Sequence, residues 1–364
     1  MDEISQNPRP NVRLFRGRWL DVAVAVVLIA AAVLAVTTGR GSRPAAAPAG
    51  RPGPAAAPEL PPSIVRTRIP LPFGQPGSMT ILGSTAWISD WSASQVAGVD
   101  LAAGRVTRIL QVGDQRDEPV SMTSGAGSLW VLGFSGPVLR IDPASGAIVR
   151  RFQVRGLGAD VSYGDGFIWV VTDEPAADGG REYLYKIDPS RDVIVKAAPI
   201  PGPGNPACAA FPGPQGIWIG CAGVDHITVF NQGSLRPAGS LRVNSGGFTP
   251  QIVPGRKVVW VLTASGLARA DPAAGRITAT IHVGFAPSAL SAPALVMDSA
   301  GRLWITGARL TVVVPGTRTA DPVARTPDLI TAAADGPAIW ADTGSTLVRL
   351  WWPGPNEVRL RQLR

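Results

Sequence analysis

Seven tryptophans recur in one setting along this chain, and their spacing limits the fold more than any other feature. They are Trp87, Trp130, Trp169, Trp218, Trp260, Trp304 and Trp340, each inside a short apolar run such as Ser128-Leu129-Trp130-Val131-Leu132-Gly133. Successive members stand 43, 39, 49, 42, 44 and 36 residues apart. A period near forty, with a large ring in a short apolar strand, is the signature of a β-propeller or a similar repeat array. The expected fold is all-β: a seven-bladed β-propeller of four-stranded antiparallel blades, with each recurring tryptophan filling the gap between wedge-shaped neighbouring sheets.

Blade one shows the plan. Met79–Leu82 reads as an inner strand, Ala86–Ser89 as the second, Gln95–Val99 as the third and Val106–Val112 as the fourth. A tight turn, Asp100-Leu101-Ala102-Ala103-Gly104, joins the third to the fourth. It recurs at Asp142–Gly146, Asp188–Asp192 and Asp271–Gly275. Aspartate accepts backbone hydrogen bonds at the head of such a turn, proline fixes φ, and glycine supplies a positive φ. These aspartates therefore read as turn formers rather than ligands. Glycine and proline, 42 and 35 residues, make up about a fifth of the chain against roughly 12% in average proteins. That punctuation suits many short strands.

Two segments compete to close the ring. Ile64–Leu71 resembles a fourth strand placed before the first inner strand, and Glu357–Leu363 resembles one at the end. The sequence leaves the choice open, although closure matters because it removes exposed sheet edges.

Ahead of the repeats the pattern changes. Residues 1–20 are polar and carry Arg9, Arg13, Arg16 and Arg18. Residues 21–39 contain an uncharged, alanine-rich run from Val22 to Val36, close to the ~17–20 residues needed to cross hydrocarbon. The favoured reading is an uncleaved transmembrane helix, with a cleaved signal or a soluble helix as the competing readings. The arginine bias puts the tail in the cytoplasm and the repeat domain outside it, at the cell membrane. Residues 40–62 are Pro/Ala/Gly-rich and read as a disordered linker. The propeller then spans 63–364. The formal charge of +8 is carried almost wholly by arginine, with only Lys186, Lys196 and Lys257 as lysines. The arginines are scattered, not gathered into a basic stripe, so no nucleic-acid partner is expected.

The two cysteines, Cys208 and Cys221, fall on the first and second strands of blade four. A disulfide between adjacent strands and a pair of buried thiols both remain open. Zinc is not expected, because two cysteines and His226 leave a site short of ligands.

The segment Asp165-Gly166-Phe167-Ile168-Trp169-Val170-Val171-Thr172-Asp173 resembles the repeat of streptogramin B lyase-like propellers, and Asp298-Ser299-Ala300-Gly301-Arg302-Leu303-Trp304 is a second copy. The Asp-Pro-Ala-Ser-Gly turn resembles that of YncE-like and quinoprotein-like propellers. The resemblance covers about 63–364 and implies a membrane-anchored member of actinobacterial type. In the lyases it implies a metal and a histidine acid–base group. Only His226 and His282 are present here, so no catalytic set carries over, and no cofactor is expected.

Loops joining second to third strands, and those joining one blade to the next, share one face. Blades one to three place Asp90, Trp91, Asp114, Arg116, Asp117, Glu118, Asp160, Asp173 and Glu174 there, while blades four to seven bring mostly small or apolar groups. The expected site is thus an acidic sector beside an exposed indole, suited to a cation or a basic peptide. The leading functional expectation is a binding scaffold for a protein, peptide or cell-envelope ligand. An extracytoplasmic enzyme of lyase or hydrolase type and a ligand-sensing domain are the alternatives.

Overall fold

The computed structural model describes residues 64–73, 75–113, 118–135, 137–175, 180–202, 207–284, 293–307, 309–317, 320–325, 329–352 and 354. The tail, the 21–39 segment and the 40–62 linker lie outside these residues, as does Glu357–Leu363. Among the described residues no helix is long and apolar enough to cross a membrane.

The described residues contain twenty-eight strands, which form seven four-stranded antiparallel sheets. Blade one uses Pro76–Leu82, Thr85–Asp90, Gln95–Asp100 and Arg105–Gln111, in that order from the inside outward. Each of the next five blades is built from four consecutive strands in the same order. The last blade differs. Its inner three strands are Ala332–Asp335, Ala338–Asp342 and Thr346–Leu350, and its outermost is Val65–Pro70, from the other end of the domain. The N-terminal candidate therefore closes the ring. Ile69 pairs with Leu347, Leu71 N donates to Ser345 O and Trp351 N donates to Ile64 O, so the clasp is tied along its length.

The described core residues gather into seven apolar clusters, one at each seam between blades. Trp87 packs against Met122, Leu129 and Val131 of blade two, Trp130 against Val161, Ile168 and Val170 of blade three, and Trp169 against Ala210, Ile217 and Ile219 of blade four. The series runs on through Trp218, Trp260 and Trp304 until Trp340 meets Met79, Ala86 and Ile88 of blade one. All seven indoles are at most 6% exposed. Each fills the seam ahead of its own blade, because side chains alternate across the pleat and the tryptophan position always faces forward.

The turn chemistry is local. Asp100 Oδ1 accepts from Ala102 N and Ala103 N, and Asp271 Oδ1 does the same for Ala273 N and Ala274 N. Blade four, whose sequence lacks the aspartate, keeps the turn with Asn231 Oδ1 accepting from Gly233 N and Ser234 N. Its left-handed residue is Leu235, at φ 52°, where blade one has Gly104 at 65°. In the Asp298 copy, the carboxylate accepts from Arg302 Nε at 2.7 Å and from Trp304 Nε1 at 2.8 Å, so the turn holds the blade's own indole.

The ring is uneven. The inner strands of blades one to four are six to eight residues long, whereas those of blades five to seven have three or four. Side chains also stitch the longer ones together. Met122 N donates to Ser78 Oγ, and Thr80 Oγ1 donates to Ser124 Oγ.

Candidate functional site

Antiparallel pairing puts the ends of second strands beside the starts of inner strands, on what we call the upper face. Asp90 pairs with Pro76, Gly133 with Pro119, and Asp173 with Leu157. The residues singled out in the sequence have distinct fates there. Asp114, Arg116 and Asp117 lie outside the described residues. Asp90 is buried, and its Oδ1 accepts from Ser92 N, Ser92 Oγ and Ala93 N, which makes it the cap of its own turn.

Asp160 is half-buried as a residue, but its carboxylate is enclosed. Oδ1 accepts from Ser121 Oγ at 3.0 Å, in blade two, and Oδ2 from Ala210 N at 2.9 Å, in blade four. Burial pushes its pKa up, against the pull of those hydrogen bonds. Both oxygens are thus engaged in joining three inner strands. Asp173 and Glu174 end the second strand of blade three, both half-buried. Burial raises Asp173 as well, and its Oδ1 is buried without a hydrogen-bond partner.

What reaches solvent is aromatic. Trp91 is 43% exposed, with its ring against the inner strand: a side chain built on Gly77 would meet Trp91 Cδ1 at 3.7 Å and the Pro119 carbonyl at 3.5 Å. Phe134, in the matching loop of blade two, is 40% exposed. Its backbone is clamped, since Phe134 N donates to Glu118 O and Gly158 N donates to Phe134 O, both at 2.7 Å. Trp91 and Phe134 therefore flank the Glu118–Pro119 dipeptide from adjacent blades. Glu118 is half-buried between them. Phe134 is not marked by the sequence repeat, whose apolar run ends at Gly133. The Gly-Phe-Ser-Gly-Pro run, with an aromatic among turn formers, was the available signal.

Cys208 and Cys221 are directly paired across the first two strands of blade four and are joined by a disulfide of S–S 2.05 Å. His226 opens the third strand of that blade and is exposed, and His282 follows an outermost strand. Among the described residues no group of three or more His, Cys, Asp or Glu is placed to hold a metal.

No family model matches the chain, and no curated protein matches its sequence. Solved structures do match its fold. A chain of the mitotic checkpoint complex superposes with a TM-score of 0.65 at 12% identity, covering 87% of this chain and 99% of that one. A chain of Kuenenia stuttgartiensis hydrazine synthase superposes with a TM-score of 0.61 at 17% identity, covering 77% of this chain and 96% of that one. At such identities the likeness is one of fold, a seven-bladed propeller.

Proposed function

We propose that this protein is a binding scaffold, held at the cell membrane by residues 21–39, whose propeller presents its upper face to a protein or peptide partner outside the cytoplasm. The observation that carries the reading is the pair of solvent-exposed aromatics, Trp91 and Phe134, seated on clamped loops around Glu118. Exposed rings with polar neighbours are the anchors that protein interfaces favour, since they bury much area at little entropic cost. The half-buried carboxylates Glu118, Asp173 and Glu174 on the same sector favour a partner whose contacting segment is basic. The mitotic checkpoint neighbour is itself a component of an assembly, which is in keeping with the fold serving such a role.

Crosslinking pull-down of the full chain from its own envelope tests the proposal. The double variant Trp91→Ala/Phe134→Ala should lose the captured partner, and Glu118→Lys should weaken capture by about tenfold, the scale of one or two kcal/mol at a hot spot. An unchanged set of captured proteins would sink the upper-face reading. A reporter fused after Arg364 tests the tether independently: activity inside the cell would overturn the placement.

A further inference from the structure

Two seams between blades share a device that a third, with a cation at the same position, lacks. In blade two, Arg140 pairs in register with Trp130, stacks on its ring at 5.4 Å and donates to Pro189 O in the turn of blade three at 2.8 Å. In blade three, Lys186 holds the same position opposite Trp169 and donates to Gln232 O in the turn of blade four at 3.0 Å. Each cation thus spans the seam on the lower face and ends on a backbone carbonyl of the next blade.

Arg269 occupies the same position in blade five, opposite Trp260. Among the described residues, no carbonyl of the next blade accepts from it. The turn of blade six has lost the aspartate-headed form and runs through Val314-Pro315-Gly316-Thr317. The guanidinium of Arg269 instead bonds Thr278 Oγ1 of its own blade at 3.2 Å. Where the seam carbonyl would sit there is an open groove of about 860 Å³. Its walls supply two further cations, Arg256 and Lys257, and an apolar floor that includes Trp260, Ile281 and Met297. Among the described residues lining it, none is acidic. The loop carrying Arg256 and Lys257 is anchored from the preceding blade, with Gln215 Nε2 donating to Arg256 O at 2.6 Å. Met297 is 37% exposed here, a large apolar side chain left in water.

We propose that this groove binds a small amphipathic anion, one phosphate or carboxylate head on a compact apolar body. The head takes the place of the missing turn carbonyl before Arg269, with Lys257 and Arg256 adding charge, and the body lies on Trp260 and Met297. Three cations with no acid among them would otherwise repel one another, and an anionic head relieves that repulsion. The apolar floor explains why charge alone is not enough for tight binding.

The probe is 1-naphthyl phosphate, titrated calorimetrically into the full chain held in zwitterionic nanodiscs. Saturable binding should appear in the micromolar to millimolar range and weaken as salt rises. Inorganic phosphate and 1-naphthol, each carrying half of the ligand, should bind at least about tenfold more weakly. Arg269→Glu with Lys257→Glu should abolish the signal, while Trp91→Ala leaves it intact. If the charge-reversed chain fails to fold by its melting curve, Arg269→Gln with Lys257→Gln takes its place, with a tenfold loss expected. No saturable binding by the wild-type chain, equal binding by the variants, equal binding of inorganic phosphate, or binding seen only to vesicles of anionic phospholipid would each overturn the proposal.

Discussion

The residue that best shows how burial sets chemistry here is Asp342. It ends the second strand of blade seven, fully buried, with Oδ1 accepting from Gly344 N at 2.7 Å and Oδ2 without a partner. Burial pushes its pKa up to about 7, only partly countered by the Gly344 hydrogen bond. Unfolded, such a carboxyl ionises near its ordinary value of about 3.9. Between those two values the unfolded chain binds fewer protons than the folded one, so the native state loses stability as pH rises, and above about 7 the penalty is constant. Asp342→Asn keeps the Gly344 acceptor and removes the ionisation. Its melting temperature relative to the wild type should therefore climb from about pH 4 to about pH 7 and then level off, by up to about 4 kcal/mol in free energy. Calorimetry across that range decides; a pH-independent difference would contradict the raised pKa.

Arg140 makes the same point for the seams. It stacks on Trp130, bonds Pro189 O and pairs with Asp192 at 2.6 Å, with side chains 19% and 41% exposed. The half-exposed carboxylate limits what the ion pair itself adds. Arg140→Ala should cost about 1–3 kcal/mol, mostly through the lost stack and the orphaned carbonyl. The measurement is a denaturant midpoint, and a change within 0.5 kcal/mol, about the spread of neutral surface substitutions, would show the seam cation to be incidental.

At the scale of elements, two devices hold strands that hydrogen bonds alone would leave at risk. One is the disulfide between Cys208 and Cys221, which links strands already paired and shortens the unfolded chain's freedom by a small loop. Replacing both with alanine should cost about 2–4 kcal/mol, read as a melting point several degrees lower, and reducing agent should reproduce the shift in the wild type. The other is the Val65–Pro70 clasp. Ile69 is 1% exposed and lies in one cluster with Trp340, Leu347 and Met79. Ile69→Ala should cost about 2–5 kcal/mol as a core truncation. It should also speed unfolding, measured by stopped-flow dilution into denaturant, if the clasp opens first. The choice of this strand over the C-terminal candidate was not written in either segment, since both alternate in the same way. In the structure the edge of Thr346–Leu350 is taken by Val65–Pro70.

At the scale of the whole molecule, the ring has a tight half and a loose half. Long, stitched inner strands in blades one to four support the upper-face aromatics, and short inner strands in blades five to seven border the lower-face groove. The two sites lie on opposite faces and different blades. Mutations in one should therefore leave the other's binding unchanged, as expected for separated positions without shared partners. A coupling of more than about threefold between partner capture and naphthyl phosphate binding would show that the ring transmits between its faces.

The sequence by itself determined the architecture, because the tryptophan period, the alternating strands and the aspartate-headed turns are local patterns with one common solution. Trp87 to Trp340 name the blades, and Asp100, Asp142, Asp188 and Asp271 mark their outer turns, each through chemistry within a few residues. The candidate site was only partly legible. Asp90 and Asp160 look alike as acidic loop residues, yet one caps its own turn and the other bonds inner strands 39 and 50 residues away in sequence. Phe134 looks like the tail of an apolar run and stands in solvent. Arg269 looks like Arg140 and faces a groove instead of a carbonyl. Those differences depend on what the neighbouring blade brings to the seam, and neighbours in a closed ring are set by packing across blades, which no pattern within one repeat contains.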